Sequence, residues 1–131
     1  MPVVAHGIDL VRCDRIARIW RDHGDRFLDR VFTPAERAYC LDCKTPVERL
    51  AGRFAAKEAV MKVLGTGWRG GMRWTDIETL PDPLGKPLVQ LTGETGDLAT
   101  RQGITRLLIS ISHTTDHAMA SVLALGEAPR A

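Results

Sequence analysis

Residues 50–67 read LAGRFAAKEAVMKVLGTG. Wound at about 100° per residue, the apolar positions of this stretch cover almost the whole circumference of a helix. A helix that is apolar nearly all round is buried, so the remaining chain has to wrap it. Ala51, Ala55, Ala56 and Ala59 let the wrapping elements approach closely. Yet Arg53, Lys57, Glu58 and Lys62 lie in the same stretch. A charge on a buried helix must be paired, bound to a metal, or turned toward a cleft. Glu58 and Lys62 project from one face, with Arg53 and Lys57 pointing to another side. The plain structural reading is an i, i+4 ion pair. The other is a carboxylate set in a functional cleft.

The rest of the sequence supplies the wrapping. VVAHGIDLV, residues 3–11, is rich in β-branched and aliphatic residues and predicts a strand. DRIARIWRDHG predicts a helix with Ile16, Ile19 and Trp20 on one face and Arg15, Arg18 and Arg21 on the other. His23 and Gly24 suit its end, and a short helix near 25–30 follows. In FTPAERAYCLD, Thr33 is an N-cap, Pro34 fits the first helical position, and Glu36 completes a capping box. Thr45-Pro46 opens the long helix, about 47–64, and Gly65 is placed to end it. GTGWRGGMRW reads as loop. Strands are expected at 74–80 and 87–92, joined by PDPLGK, then a helix at 93–102. LLISIS and HAMASVLAL predict an antiparallel pair at 107–112 and 117–125. The tail, Gly126 to Ala131, reads as frayed. The pattern is α+β: an antiparallel sheet packed against helices, one of them long and buried.

A chain of 131 residues is most simply one domain, 1–131. No apolar run approaches the roughly 20 residues that span a bilayer. No basic segment followed by an apolar one marks the N-terminus as a signal peptide, so the expected compartment is the cytosol. Three cysteines, Cys13, Cys40 and Cys43, are too few and odd in number for a disulfide framework. Cys40 and Cys43 form a C-x-x-C without the two further ligands a structural zinc needs; they read as plain thiols near a helix end. A net charge of +2 does not point to nucleic acid. The distribution is more informative. Lys44 to Arg73 holds seven cations against two anions, whereas Asp76 to Asp97 holds five acids against Lys86 alone. A local basic field in a near-neutral protein suits a small polyanion such as a nucleotide or phosphate.

Several positions can carry chemistry. Asp9, between Ile8 and Leu10, is out of place in a strand: it is either a solvent-face residue or a metal ligand. Asp9 and Glu58 together offer hard oxygens for Mg²⁺, which takes one or two protein carboxylates and completes its shell with water and substrate phosphates. His6 nearby reads as a packed or surface residue. Gly65-Thr66-Gly67, followed by Gly70-Gly71, is not a Walker A loop; it is a C-cap and loop whose glycines would let backbone approach a ligand. Ser112 and His113 in SISH are adjacent, so in a strand their side chains diverge, which disfavours a local nucleophile–base pair.

Taken in order, GIDLV at 7–11, FTPAE at 32–36, RLAGRFAAKEAVMKVLGTG at 49–67, WTDIE at 74–78, GKP at 85–87 and SISH at 110–113 resemble holo-[acyl-carrier-protein] synthase, the small bacterial type of 4′-phosphopantetheinyl transferase. The resemblance runs from about residue 6 to residue 124. It implies the fold of that family and a Mg²⁺-dependent transfer of the 4′-phosphopantetheine arm of coenzyme A to a serine of apo acyl carrier protein, in support of fatty acid biosynthesis, releasing adenosine 3′,5′-bisphosphate. It implies Asp9 and Glu58 as metal ligands and Asp9, Glu58 and Lys62 as the catalytic set. It implies a coenzyme A site lined by Arg53, Lys62, Gly65, Thr66, Gly67, Lys86, Pro87, Ser112 and His113. Glu58, acting through a metal-bound water, is the leading candidate for the base. The family also implies a homotrimer with sites at subunit interfaces, and the Arg15, Arg18, Arg21 face is a candidate to meet an acidic carrier protein, although Asp14, Asp22, Asp25 and Asp29 dilute it. After SISH, where members often carry a polar or acidic residue, this chain has Thr114. Rival readings are a catalytically silent module binding coenzyme A or a carrier protein, and a nucleotide-binding regulator resting on the basic 44–73 segment.

Overall fold

The computed structural model describes residues 1–129. Strand β1 (Val3–Arg12) leads directly into α1 (Cys13–His23), α2 (Asp25–Val31), α3 (Pro34–Leu41) and the long α4 (Pro46–Leu64). A hairpin of β2 (Ile77–Pro81) and β3 (Pro87–Leu91) follows, then α5 (Gly93–Arg101) and the antiparallel pair β4 (Ile104–His113) and β5 (His117–Gly126). The strands order as β1-β5-β4 in one antiparallel sheet, and β2-β3 stands apart as a second. No helix among the described residues is long and apolar enough to cross a membrane.

The core forms where α4 lies across the three-stranded sheet. Ala51, Ala55, Ala56, Ala59 and Val60 are sealed from solvent, as are Ala118, Ala120, Val122 and Ala124 on β5. Small residues on both surfaces bring helix and sheet backbones together. They come together at Gly7, where a Cβ would stand 2.1 Å from the carbonyl oxygen of Ala59. Only glycine fits there. Strand alternation then fixes the faces of β1: Gly7, Asp9 and Val11 turn toward the helix, whereas Ile8 (46% exposed) and Leu10 (63%) turn outward. Asp9 is therefore on the helix side of the sheet, not on its solvent face.

Both ends of α4 follow the sequence. Pro46 occupies the first turn, and Gly65, at φ 76°, closes the helix in the left-handed conformation. The Thr33–Glu36 capping box is present, with the Glu36 amide donating to Thr33 Oγ1 (3.1 Å) and the Thr33 amide to Glu36 Oε1 (3.0 Å). Glu36 does more than cap. It is fully buried, accepts from Lys57 Nζ at 2.8 Å and from the Thr79 amide at 2.9 Å. Lys57 also donates to the carbonyls of Trp74 and Ile77. One ion pair thus ties α3, α4 and β2 together. Burial lowers the pKa of Lys57, and the Glu36 carboxylate opposes that shift.

The structure corrects several boundaries. The expected strand at 74–80 begins as a 3₁₀ turn, Trp74–Asp76, and becomes strand only from Ile77. The cause is Asp76, whose buried carboxylate accepts from the Arg73 amide (3.1 Å) and from Thr95 Oγ1 (2.9 Å), closing the turn onto α5. Gly126 is not frayed: it is buried, belongs to β5, and donates its amide to the Pro2 carbonyl. Residues 130 and 131 of the expected frayed tail lie outside the described residues. The three cysteines are free thiols. Cys40 is in the core, where burial pushes its pKa up to about 12, and the Cys43 thiol donates to the Cys40 carbonyl.

Candidate active site

Gly7 sets the site by bringing β1 against α4. Two residues on, Asp9 meets the C-terminal half of the helix. Lys62 reaches across from α4, donating to the Ile8 carbonyl (2.8 Å) and to Asp9 Oδ1 (3.2 Å). The i, i+4 pair expected from spacing alone is thus replaced by a cross-element one, because Asp9 and a strand carbonyl offer Lys62 two acceptors at once. Lys62 keeps 55% of its side-chain exposure, and Asp9 keeps 18%.

Glu58 lies beside this pair, half-buried. Its pKa is raised, first by burial and then by the charge of Asp9, with Arg15 and Lys62 pulling the other way. Glu58 at a cavity and Asp9 behind Lys62 repel each other, and Lys62 and Arg15 offset the two carboxylates only in part. A divalent cation would complete the offset. Among the described residues no group of three or more His, Cys, Asp or Glu side chains is disposed to hold a metal. The site therefore lacks the ligands of a closed metal cage and fits an ion that takes two carboxylates and draws its other ligands from water and a phosphate-bearing substrate, as Mg²⁺ does.

The cavity has a volume of about 380 Å³ and is lined by Glu58, Met61, Lys62, Gly65, Gly67 and Trp68. Gly65 (φ 76°) and Gly67 (φ 68°) hold left-handed backbone at its rim, where a side chain would be strained. Thr66 between them donates its hydroxyl to the Gly67 carbonyl. Trp68 was not among the residues expected here. An indole inside a glycine-rich loop, GTGWRGG, is the sequence signal that points to it.

The other expected site residues lie elsewhere in the chain. Arg53 is buried against the Tyr39 ring, 4.6 Å from its centroid, and its Nε has no partner among the described residues. His113 Nδ1 is 3.5 Å from Glu48 Oε2, near the start of α4. Ten residues, or about 15 Å of helix rise, separate Glu48 from Glu58. Ser112 is exposed on β4 beside His113, and Lys86 and Pro87 sit at the β2–β3 turn, where the Lys86 amide bonds Asp82. His6 bonds Ser121 on the outer face of the sheet. On α1, Arg15, Arg18 and Arg21 are exposed. The acids around them are engaged: Asp14 with Arg12, Asp22 with Arg21, and both Asp25 and Asp29 with Arg37.

Comparison with known proteins identifies the family of the chain. The 4′-phosphopantetheinyl transferase superfamily matches residues 5–122. A holo-[acyl-carrier-protein] synthase from Koribacter versatilis is 46% identical over 121 residues, covering 92% of this chain and 97% of the relative. Among solved structures, holo-[acyl-carrier-protein] synthase from Neisseria meningitidis superposes with a TM-score of 0.86 at 36% identity, covering 95% of this chain and 99% of that one. The Helicobacter pylori holo-[acyl-carrier-protein] synthase in complex with coenzyme A gives a TM-score of 0.78 at 33% identity, over 92% and 99% of the two chains. With sequence and fold matched over nearly its full length, this chain belongs to the 4′-phosphopantetheinyl transferase superfamily.

Proposed function

We propose that this protein transfers the 4′-phosphopantetheine arm of coenzyme A to a serine of apo acyl carrier protein, leaving adenosine 3′,5′-bisphosphate. The observation that carries the reading is a cavity lined by Glu58 and Lys62 with Asp9 paired to Lys62 beside it, in a chain whose relatives are holo-[acyl-carrier-protein] synthases. Asp9 and Glu58 would hold Mg²⁺, which supplies Lewis-acid stabilisation of charge on the phosphates. Lys62, fixed by the Ile8 carbonyl and Asp9, offers its ammonium to the phosphate that departs. The backbone at Gly65 and Gly67 admits the phosphates without side-chain obstruction. Glu58 is the candidate acceptor for the serine proton, being the carboxylate that lines the cavity.

On the same reading, Arg15 and Arg18 of α1 meet the acidic carrier, and rim charges of that kind act on encounter and orientation. The outer face of the three-stranded sheet exposes Ile8, Leu10 and Met119, an apolar surface that a second copy would cover. Copies assembled there as a trimer would let Lys86, Pro87, Ser112 and His113 serve a neighbour's cavity, whereas Arg53 is held inside its own chain against Tyr39. Light scattering at micromolar concentration is expected to give three chains; a monomer would remove this part of the reading.

The test is direct. The protein is incubated with apo acyl carrier protein, coenzyme A and Mg²⁺, and the carrier is weighed intact. A gain of one phosphopantetheine, abolished by EDTA, is expected. No gain across verified carriers would favour a module that binds coenzyme A without turnover.

A further inference from the structure

Around α4, at about 100° per residue, Met61 and Phe54 fall on one side of Glu58, while Lys62 and Ala59 fall on the other. The Ala59 side is where β1 crosses, bringing Asp9. The Phe54 side is aromatic. Phe54 stacks on Trp74 with ring centroids 5.1 Å apart, and Trp74 packs against Trp68 at 4.2 Å. The guanidinium of Arg15 stands 5.6 Å from the far end of this row, over Phe54. Trp68 is therefore braced from behind, and it lines the cavity together with Met61. Its Nε1 is shut off from solvent and bonds no atom among the described residues. The part of the indole that reaches the cavity is consequently carbon. The cleft has two unlike flanks, one ionic and one apolar.

We propose that Trp68, backed by Trp74 and Phe54, is the seat for the apolar part of the pantetheine arm. This inference rests on the transferase reading above. The arm begins, one carbon from its phosphate, with a quaternary carbon bearing two methyl groups. A phosphate held beside Lys62 and the carboxylates places those methyls next to the flank carrying Met61 and Trp68. The arm stays attached to the phosphorus throughout the transfer, so a rigid apolar seat orients the transferred group without contributing to the leaving group. The adenosine portion gains nothing from this wall.

Calorimetric titration in Mg²⁺ with coenzyme A, 4′-phosphopantetheine and adenosine 3′,5′-bisphosphate separates the two halves of the ligand. Trp68→Ala is expected to weaken the first two by about tenfold, the scale of a lost apolar contact in a pocket, and to leave the bisphosphate unchanged. Trp68→Phe is expected to recover most of the affinity, since Nε1 takes no part. Equal weakening of the bisphosphate would assign the ring to the base and overturn the proposal, as would no change for any ligand. Transferred Overhauser contacts between the Trp68 ring and the two methyl groups, measured on the unaltered protein, test the same point without a variant; their absence from bound coenzyme A overturns it. If the unaltered protein neither binds nor transfers from coenzyme A, the transferase reading falls and takes this inference with it. If it transfers normally and the variants match it, only the inference falls.

Discussion

Helix α4 carries two lysines five residues apart that live in opposite worlds. Lys57 is fully buried, paired with an equally buried Glu36, and its remaining hydrogens reach backbone carbonyls. Lys62 is 55% exposed, shares one carboxylate, and sits beside another, Glu58, that makes no ion pair among the described residues. The first arrangement is saturated and joins three elements. The second is deficient in positive charge and open to a ligand. On one helix, completeness of the polar network separates a structural charge from a functional one.

The largest expected effect lies at the saturated pair. Lys57→Met leaves Glu36 buried without its cation, and Glu36→Gln does the reverse. Breaking one partner of a buried pair costs about 3–5 kcal/mol, so chemical denaturation should show either variant losing a large part of the stability of a domain this size. The double variant Glu36→Leu, Lys57→Met should be less damaged than the sum of the singles. It should remain weaker than the parent, because the Thr33 and Thr79 amides and the Trp74 and Ile77 carbonyls lose their partners. Full recovery in the double variant would mean those backbone groups find other partners, and the contrast between the two lysines would soften.

Gly7→Ala comes next. Its Cβ would collide with the Ala59 carbonyl, a backbone atom that cannot step aside. Overpacking of this kind costs about 1–3 kcal/mol, and the shift of β1 carries Asp9 away from Lys62. Loss of turnover and stability together is expected, in contrast to the site variants below.

Much of this contrast was legible in the sequence, and the limits are physical. The burial of α4, its C-cap at Gly65 and the Thr33 capping box rest on local pattern, which a sequence displays; the pairing of Asp9 with Glu58 was implied by family resemblance, not by local pattern. The partner choices do not rest on local pattern either. Glu36 reads as a cap, and nothing in its own turn says that Lys57, 21 residues on, will use the same carboxylate. Lys62 reads as the partner of Glu58 because spacing favours it, yet a strand carbonyl and Asp9 win through tertiary contact. Strand 74–80 lost its first turn to Asp76, whose partner Thr95 lies on another element. Trp68 passed as loop because only the fold puts Trp74 and Phe54 behind it. The separation of His113 from Glu58 could not be read either, since the placement of His113 against Glu48 is a tertiary contact between β4 and α4.

Lys62→Met should alter stability by less than about 1 kcal/mol, the usual scale for an exposed pair. Turnover should fall by about a hundredfold or more, the scale for removing a preorganised charge from a reacting centre. Equilibrium denaturation and the carrier assay, run side by side, give the two numbers. A variant that is unstable yet turns over normally would exchange the roles assigned to Lys57 and Lys62.

The smallest effect on stability, and the sharpest separation, is expected for Glu58→Gln. Without metal, the amide removes a half-buried charge that faces Asp9, so the folded state should be unchanged or slightly more stable. A residue whose charge opposes folding is retained for something other than folding. Addition of Mg²⁺ should raise the melting temperature of the unaltered protein, since an ion that binds only the folded state stabilises it, and should do so less for Glu58→Gln. Turnover should be lost. If instead the amide lowered stability and left turnover intact, Glu58 would belong with Glu36 as a structural carboxylate, and the charge-deficient end of α4 would need another explanation.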